Sequence, residues 1–144
     1  MIEQDTIRLL RECDAGIKMG TSAIDDVMEH VKDEELRNCL TANRRKHDEL
    51  KADIEAHLDR FHDDGKDPNP IAKSMSWMKT NVKLGLEDSD KVVADLITDG
   101  CHMGVKSLGK YLNQYKAADE KSKDIAKRLI SLEDKLAIDM RPYL

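Results

Sequence analysis

Four polar side chains stand at positions where a helical protein usually carries apolar ones. Asp14 and His47 interrupt apolar stripes with 3–4 spacing, and an internal repeat places His102 and Glu133 at the equivalent positions. Two carboxylates and two imidazoles could bind one Zn²⁺, Mn²⁺ or Fe²⁺ ion. They could equally form a buried hydrogen-bonded network in which Asp14 and Glu133 pair with His47 and His102. A third interpretation is that at least one of the four residues lies on the surface.

The repeat is visible in two similar hexapeptides. The stretch CDAGIK starts at Cys13 and CHMGVK starts at Cys101, 88 positions later. A second register, shifted by 86, aligns Asp33-Glu34 with Asp119-Glu120 and Asp48 with Asp134. The two registers predict two similar helical hairpins, one in each half of the chain. Gly16 and Gly104, which follow the two cysteines, are expected where facing helices approach closely.

The elements that must position these residues are helices. Of 144 residues 37% are charged, while one Trp, one Phe and three Tyr leave Leu, Ile, Val, Met and Ala to fill the core. Three prolines and seven glycines are few for an all-β chain. We therefore predict an all-α fold and one domain spanning 1–144, with a hairpin at 5–62, a crossover helix at 70–87 and a hairpin at 89–140. Asp33 is the predicted N-cap of the second helix.

Composition also limits the classes of partner. The formal net charge of −5 disfavours nucleic acid and anionic membrane surfaces, and no apolar run approaches the roughly 20 residues that cross a bilayer. The odd number of cysteines, three, gives no disulfide framework. We expect a cytoplasmic protein whose partner is a second copy of itself, as a homodimer, or another protein. Cys13 and Cys101 are expected to be small buried apolar residues rather than redox centres.

These features resemble an uncharacterised bacterial family of ferritin-like four-helix bundles, a domain of unknown function. The shared features are a Cys-x-x-Gly stretch in the first and third long helices, a crossover helix with tryptophan (here Ser76-Trp77-Met78-Lys79), and an acidic turn (here Glu87-Asp88-Ser89-Asp90). The resemblance covers about residues 7–140. It implies two antiparallel hairpins joined by a crossover and a link to stress.

The chain departs from the di-iron pattern of active ferritin-like proteins. Such a site takes a carboxylate from each of two helices and Glu-x-x-His from each of the other two. No Glu-x-x-His is present, and Ile17 and Val105 stand where the resembling family commonly has an acidic residue. We therefore expect no cofactor and a non-catalytic association module. The alternative is a ferritin-like protein that binds Fe, Mn or Zn through Asp14, His47, His102 and Glu133.

A stripe of Val93, Ile97, Gly104 and Leu108 fits the third helix better than one through His102.

Overall fold

The computed structural model describes residues 2–68, 84, 85 and 87–144, and it confirms the all-α prediction for that part of the chain. It contains four long helices: α1 (Ile2–Met28), α2 (Glu34–Asp59), α3 (Asp90–Gln114) and α4 (Glu120–Met140). A single 3₁₀ turn, Arg141–Tyr143, follows α4. The predicted crossover helix at 70–87 lies outside the described residues, apart from Leu84, Gly85 and Glu87.

Each helix after the first begins at a residue that caps it. The Asp33 carboxylate accepts the N–H of Leu36 at 2.9 Å, which confirms the predicted N-cap of α2. Asp119 does the same for α4 by accepting the N–H of Ser122 at 2.7 Å. Ser89 caps α3 through its hydroxyl. The starts of α1 and α3 are 88 residues apart and those of α2 and α4 are 86 apart, as in the sequence repeat.

The two hairpins hold each other at both ends of the bundle. At one end, the carboxylate of Asp90 accepts the backbone N–H groups of Lys32 (2.7 Å) and Asp33 (3.0 Å) in the α1–α2 turn. At the other end, Asp5 accepts the N–H of Ala117 (3.0 Å). There the Thr6 hydroxyl also accepts the N–H of Asp119 (2.8 Å), in the α3–α4 turn. The first turn of each hairpin's first helix therefore caps the turn of the other hairpin.

These contacts set the helix directions. The start of α1 lies beside the start of α4, and the start of α3 lies beside the α1–α2 turn. Helices α1 and α4 therefore run one way while α2 and α3 run the other way. The end of α2 and the start of α3 therefore lie at opposite ends of the bundle. Helix α1 packs against the other three helices.

The core consists of two apolar clusters, one towards each end. In each cluster, side chains of α1 and α2 pack against side chains of α3 and α4, so both clusters join the two hairpins. The cluster at the α1–α2 turn contains Ile24, Val27, Val31, Leu36, Leu40, Leu84, Val93, Ala94, Ile97, Cys101, Leu136, Ala137 and Met140. The other contains Leu9, Leu10, Cys13, Ile17, Leu50, Ile54, Leu58, Leu108, Ala118, Ile125, Ala126 and Leu129.

Candidate functional site

Two of the four predicted site residues meet, and they do so in the middle of the bundle. His47 of α2 is fully buried, Glu133 of α4 is 8% exposed, and His47 Nε2 lies 2.7 Å from Glu133 Oε1. Asp14 is also buried but has other partners, and His102 is exposed on α3. Of the polar network expected among the four residues, the structure contains the contact between His47 and Glu133.

The hydrogen bonds of His47 fix where its protons must be. Nδ1 lies 2.9 Å from the carbonyl oxygen of Asn43, one turn earlier on α2, and a carbonyl can only accept, so Nδ1 carries hydrogen. Nε2 faces a carboxylate oxygen, so one further proton must lie between Nε2 and Glu133. With the carboxylate ionised, the pair is an imidazolium donating to a carboxylate, a strong charge-assisted hydrogen bond.

The surroundings of His47 act on its pKa in opposite directions. Burial lowers the pKa of the imidazole because it removes water from the charged form. The hydrogen bond to Glu133, the negative charge of that carboxylate and the Asn43 carbonyl outweigh burial and Arg44, so the pKa of His47 lies above its ordinary value of 6.5. The partners of His47 thus favour its protonated form.

Helix α3 contributes a thiol to this layer. Burial, followed by the charge of Glu133 and a hydrogen bond to it, raises the pKa of the Cys101 thiol well above its ordinary value. A thiol in that state is protonated and can donate weakly to the carboxylate, which makes Cys101 a poor nucleophile. The layer therefore gives Glu133 one strong partner, His47, and one weak partner, Cys101.

Glycines face this layer from α1 and α3. A Cβ on Gly20 would lie 2.9 Å from His47 Nε2, closer than real side chains tolerate, so α1 approaches the imidazole with bare backbone. The close approach predicted at Gly16 and Gly104 is not found there. A Cβ on Gly16 would meet Leu129 at 3.9 Å and one on Gly104 would meet Glu133 at 3.8 Å, which are ordinary contacts. In this central layer, Gly20 is the glycine that the packing requires.

Asp14 is buried under the chain segment that follows α2. Its Oδ2 accepts from Lys18 Nζ (2.8 Å) and from the backbone N–H of Lys66 (3.0 Å), while Oδ1 is buried without a partner among the described residues. Gly65, next to Lys66, has φ +86° and presents bare backbone to this carboxylate. Asp14 therefore anchors the segment after α2 to α1 and does not face His47.

A second buried histidine, His57, lies at the end of α2. Its Nε2 donates to Asp119, the N-cap of α4, at 3.1 Å. Burial raises the pKa of Asp119, but the hydrogen bonds from Ser122 and the contact with His57 outweigh it, so the pKa is lowered. The pair joins the last turn of α2 to the first turn of α4, and this role is structural.

The described residues do not assemble a metal centre of the predicted kind. In residues 2–68, 84, 85 and 87–144, no three His, Cys, Asp or Glu side chains are grouped so that they could hold a metal ion. Within the same residues, no helix has the length and apolarity needed to cross a membrane.

Sequence reasoning missed two members of the central layer. Gly20 lies in register with Ile17 and Ile24 on the core stripe of α1, and a glycine in such a stripe is a signal of close approach. Cys101 lies four residues after Ile97 and was interpreted only as a small apolar residue. Its contact with Glu133 depends on how α3 rotates against α4, which the local pattern does not specify.

Comparison with known proteins found no match for this chain. The chain matches no protein-family model, no curated protein and no solved structure.

Proposed function

We propose that this chain is a non-catalytic ferritin-like helical bundle that acts by association, with a second copy of itself or with another protein, and lacks a complete di-iron site. The ferritin-like assignment is supported by the helix directions and by the single long connection between the hairpins, since both are typical of that class of bundle. The link to stress rests on the family resemblance alone.

One observation supports the proposed absence of a di-iron site. Where the four helices meet around His47, α1 presents Gly20, which supplies no ligand, and α3 presents Gly104 and the Cys101 thiol in place of a carboxylate or a Glu-x-x-His. The two remaining helices supply His47 and Glu133, which bind each other. A di-iron centre takes ligands from all four helices at one level of the bundle.

Association would use the outer surface of the bundle. Met103 on α3 is 64% exposed, and Gly100, one turn earlier, is also exposed. Ile138 on α4 is 52% exposed. Burying such side chains against a partner contributes about 25 cal/mol per Å² of apolar surface.

Two measurements test the proposal. Elemental analysis of protein purified without chelator and then titrated with Fe²⁺, Mn²⁺ and Zn²⁺ should show no stoichiometric metal, in the parent chain or in His47→Leu. Near-stoichiometric metal that disappears in His47→Leu would instead support the metal-binding alternative. Native mass spectrometry over a range of concentrations should show a dimer or larger species that Met103→Lys weakens. A strict monomer would remove self-association and leave a different protein as the partner.

A further inference from the structure

The His47–Glu133 pair lies at a special position in the repeat. The second helices of the two hairpins are related by a shift of 86, and Glu133 is the residue 86 positions after His47. Equivalent residues of two related halves contact each other only on the two-fold axis that relates those halves. The 2.7 Å contact between these two side chains therefore marks an approximate two-fold axis between the hairpins.

The turn contacts at the two ends and the apolar core do not distinguish one hairpin from the other. Each hairpin's first helix accepts backbone N–H groups from the opposite turn, through Asp90 on one side and Asp5 and Thr6 on the other. Both core clusters are apolar. A hairpin pairing with a copy of itself would keep contacts of both kinds. On the axis, it would place His47 against another His47, or Glu133 against another Glu133.

We propose that His47 and Glu133 determine which hairpins pair, so that an α1–α2 hairpin takes an α3–α4 hairpin as its partner and excludes a second α1–α2 hairpin. The reason is charge. Two buried carboxylates at this distance cannot both be ionised. Two imidazoles there would leave a nitrogen without a donor, one buried cation without a counter-charge, or two cations in contact. Specificity of this kind comes from the cost of the wrong pairing as much as from the right one. The inference concerns the inside of the bundle and holds whether or not the outer surface binds a partner.

The proposal is tested with two full-length chains that each carry one wrong residue. His47→Glu places two carboxylates on the axis, and Glu133→His places two imidazoles there. Each change should lower the folding equilibrium constant by on the order of a hundredfold, because a buried charge loses its partner. When the two chains are unfolded, mixed and refolded together, an exchanged heterodimer restores a His–Glu pair in both bundles. Residues 60–89 are long enough for the exchange, at about 3.3 Å per extended residue.

Native mass spectrometry of the mixture should show the heterodimer, and neither chain alone should form the corresponding homodimer. The matched control uses Asp53 and Arg128, an exposed ion pair at 3.2 Å between the same two helices. Refolding Asp53→Arg together with Arg128→Asp should give monomers, since exposed pairs contribute little. Soluble His47→Glu and Glu133→His chains that form no heterodimer would overturn the proposal.

If the mixed chains aggregate, the double variant decides. A single chain carrying both His47→Glu and Glu133→His has the pair in reverse order. We expect its folding equilibrium constant to exceed that of either single variant by tenfold or more. A double variant no more stable than the weaker single variant would overturn the proposal, because the residues would then act only through shape.

Discussion

Replacing Glu133 by glutamine should remove a proton from the folded protein without leaving a buried group unpaired. In the parent chain, His47 donates from Nδ1 to Asn43 and shares a second proton with Glu133. In Glu133→Gln, a neutral imidazole keeps its Nδ1 hydrogen, and its bare Nε2 accepts from the amide of the new side chain. The variant should fold, and its stability should respond to pH with a different sign.

The sign follows from the direction of the pKa shift. The pKa of His47 is raised in the folded protein, so the stability it contributes is fully present below the unfolded value of 6.5 and is lost as pH rises through the folded pKa. Between those two values, the free energy of unfolding should fall by up to about 1.4 kcal/mol per pH unit. In Glu133→Gln, burial without a carboxylate partner should lower the pKa of His47, so that this variant loses stability on acidification instead.

The assay is urea unfolding at pH values from 5.5 to 8.5, analysed as the difference between the parent chain and Glu133→Gln. That difference removes the contribution of the other histidines. The free energy of unfolding of the parent chain, relative to that of Glu133→Gln, should be greatest at the acidic end and should decrease as pH rises. His102→Gln is the control for removing an exposed histidine from the bundle. A difference that stays flat, or that grows with pH, would refute the protonated state assigned to His47.

Three further predictions concern packing and backbone. Gly20→Ala should destabilise the protein by about 1–3 kcal/mol because the new methyl group overpacks against His47. Gly100→Ala, at an exposed helical position, should stabilise it by up to about 1 kcal/mol. Thermal unfolding of both variants checks these opposite signs. Gly65→Ala should cost at least about 1 kcal/mol because φ is +86° there, and limited proteolysis should cut the segment after α2 faster. Ile54→Ala should cost about 2–5 kcal/mol in denaturant unfolding without changing the oligomeric state, since Ile54 is fully buried.

The parts of the fold that depend on local signals could be predicted from the sequence. Apolar spacing predicted the long helices, and Asp33 was recognisable as a cap because an aspartate preceded two acidic residues and an apolar stripe. The end of α2 was less predictable. The first hairpin was predicted to run to residue 62, but the helix ends at Asp59, and Gly65 takes a positive φ in the segment that covers Asp14.

The candidate site was predictable only in part, for a geometric reason. The repeat marked His47 and Glu133 as equivalent candidates, but their direct contact depends on how α2 packs against α4, which the sequence does not specify. His102 comes directly after Cys101, and Cys101 is the residue that faces the core, so the helix turns His102 by about 100° towards solvent. Asp14 occupies the same position relative to Cys13, yet it is buried, because the chain after α2 returns to cover it. That return is a contact between residues 52 apart, which local periodicity does not encode.

His47 and Glu133 are equivalent residues that have diverged, whereas another equivalent pair in the same helices has not. Leu50 and Leu136 are also 86 residues apart, and they lie in different core clusters, so each meets its own apolar surroundings and leucine fits both. A residue on the axis meets its own equivalent. If the two residues on the axis were identical and polar, they would repeat the same charge or leave the same nitrogen unpaired. Apolar or small residues would avoid this cost. An acid and a base satisfy that position together, and they do so only when the two hairpins differ.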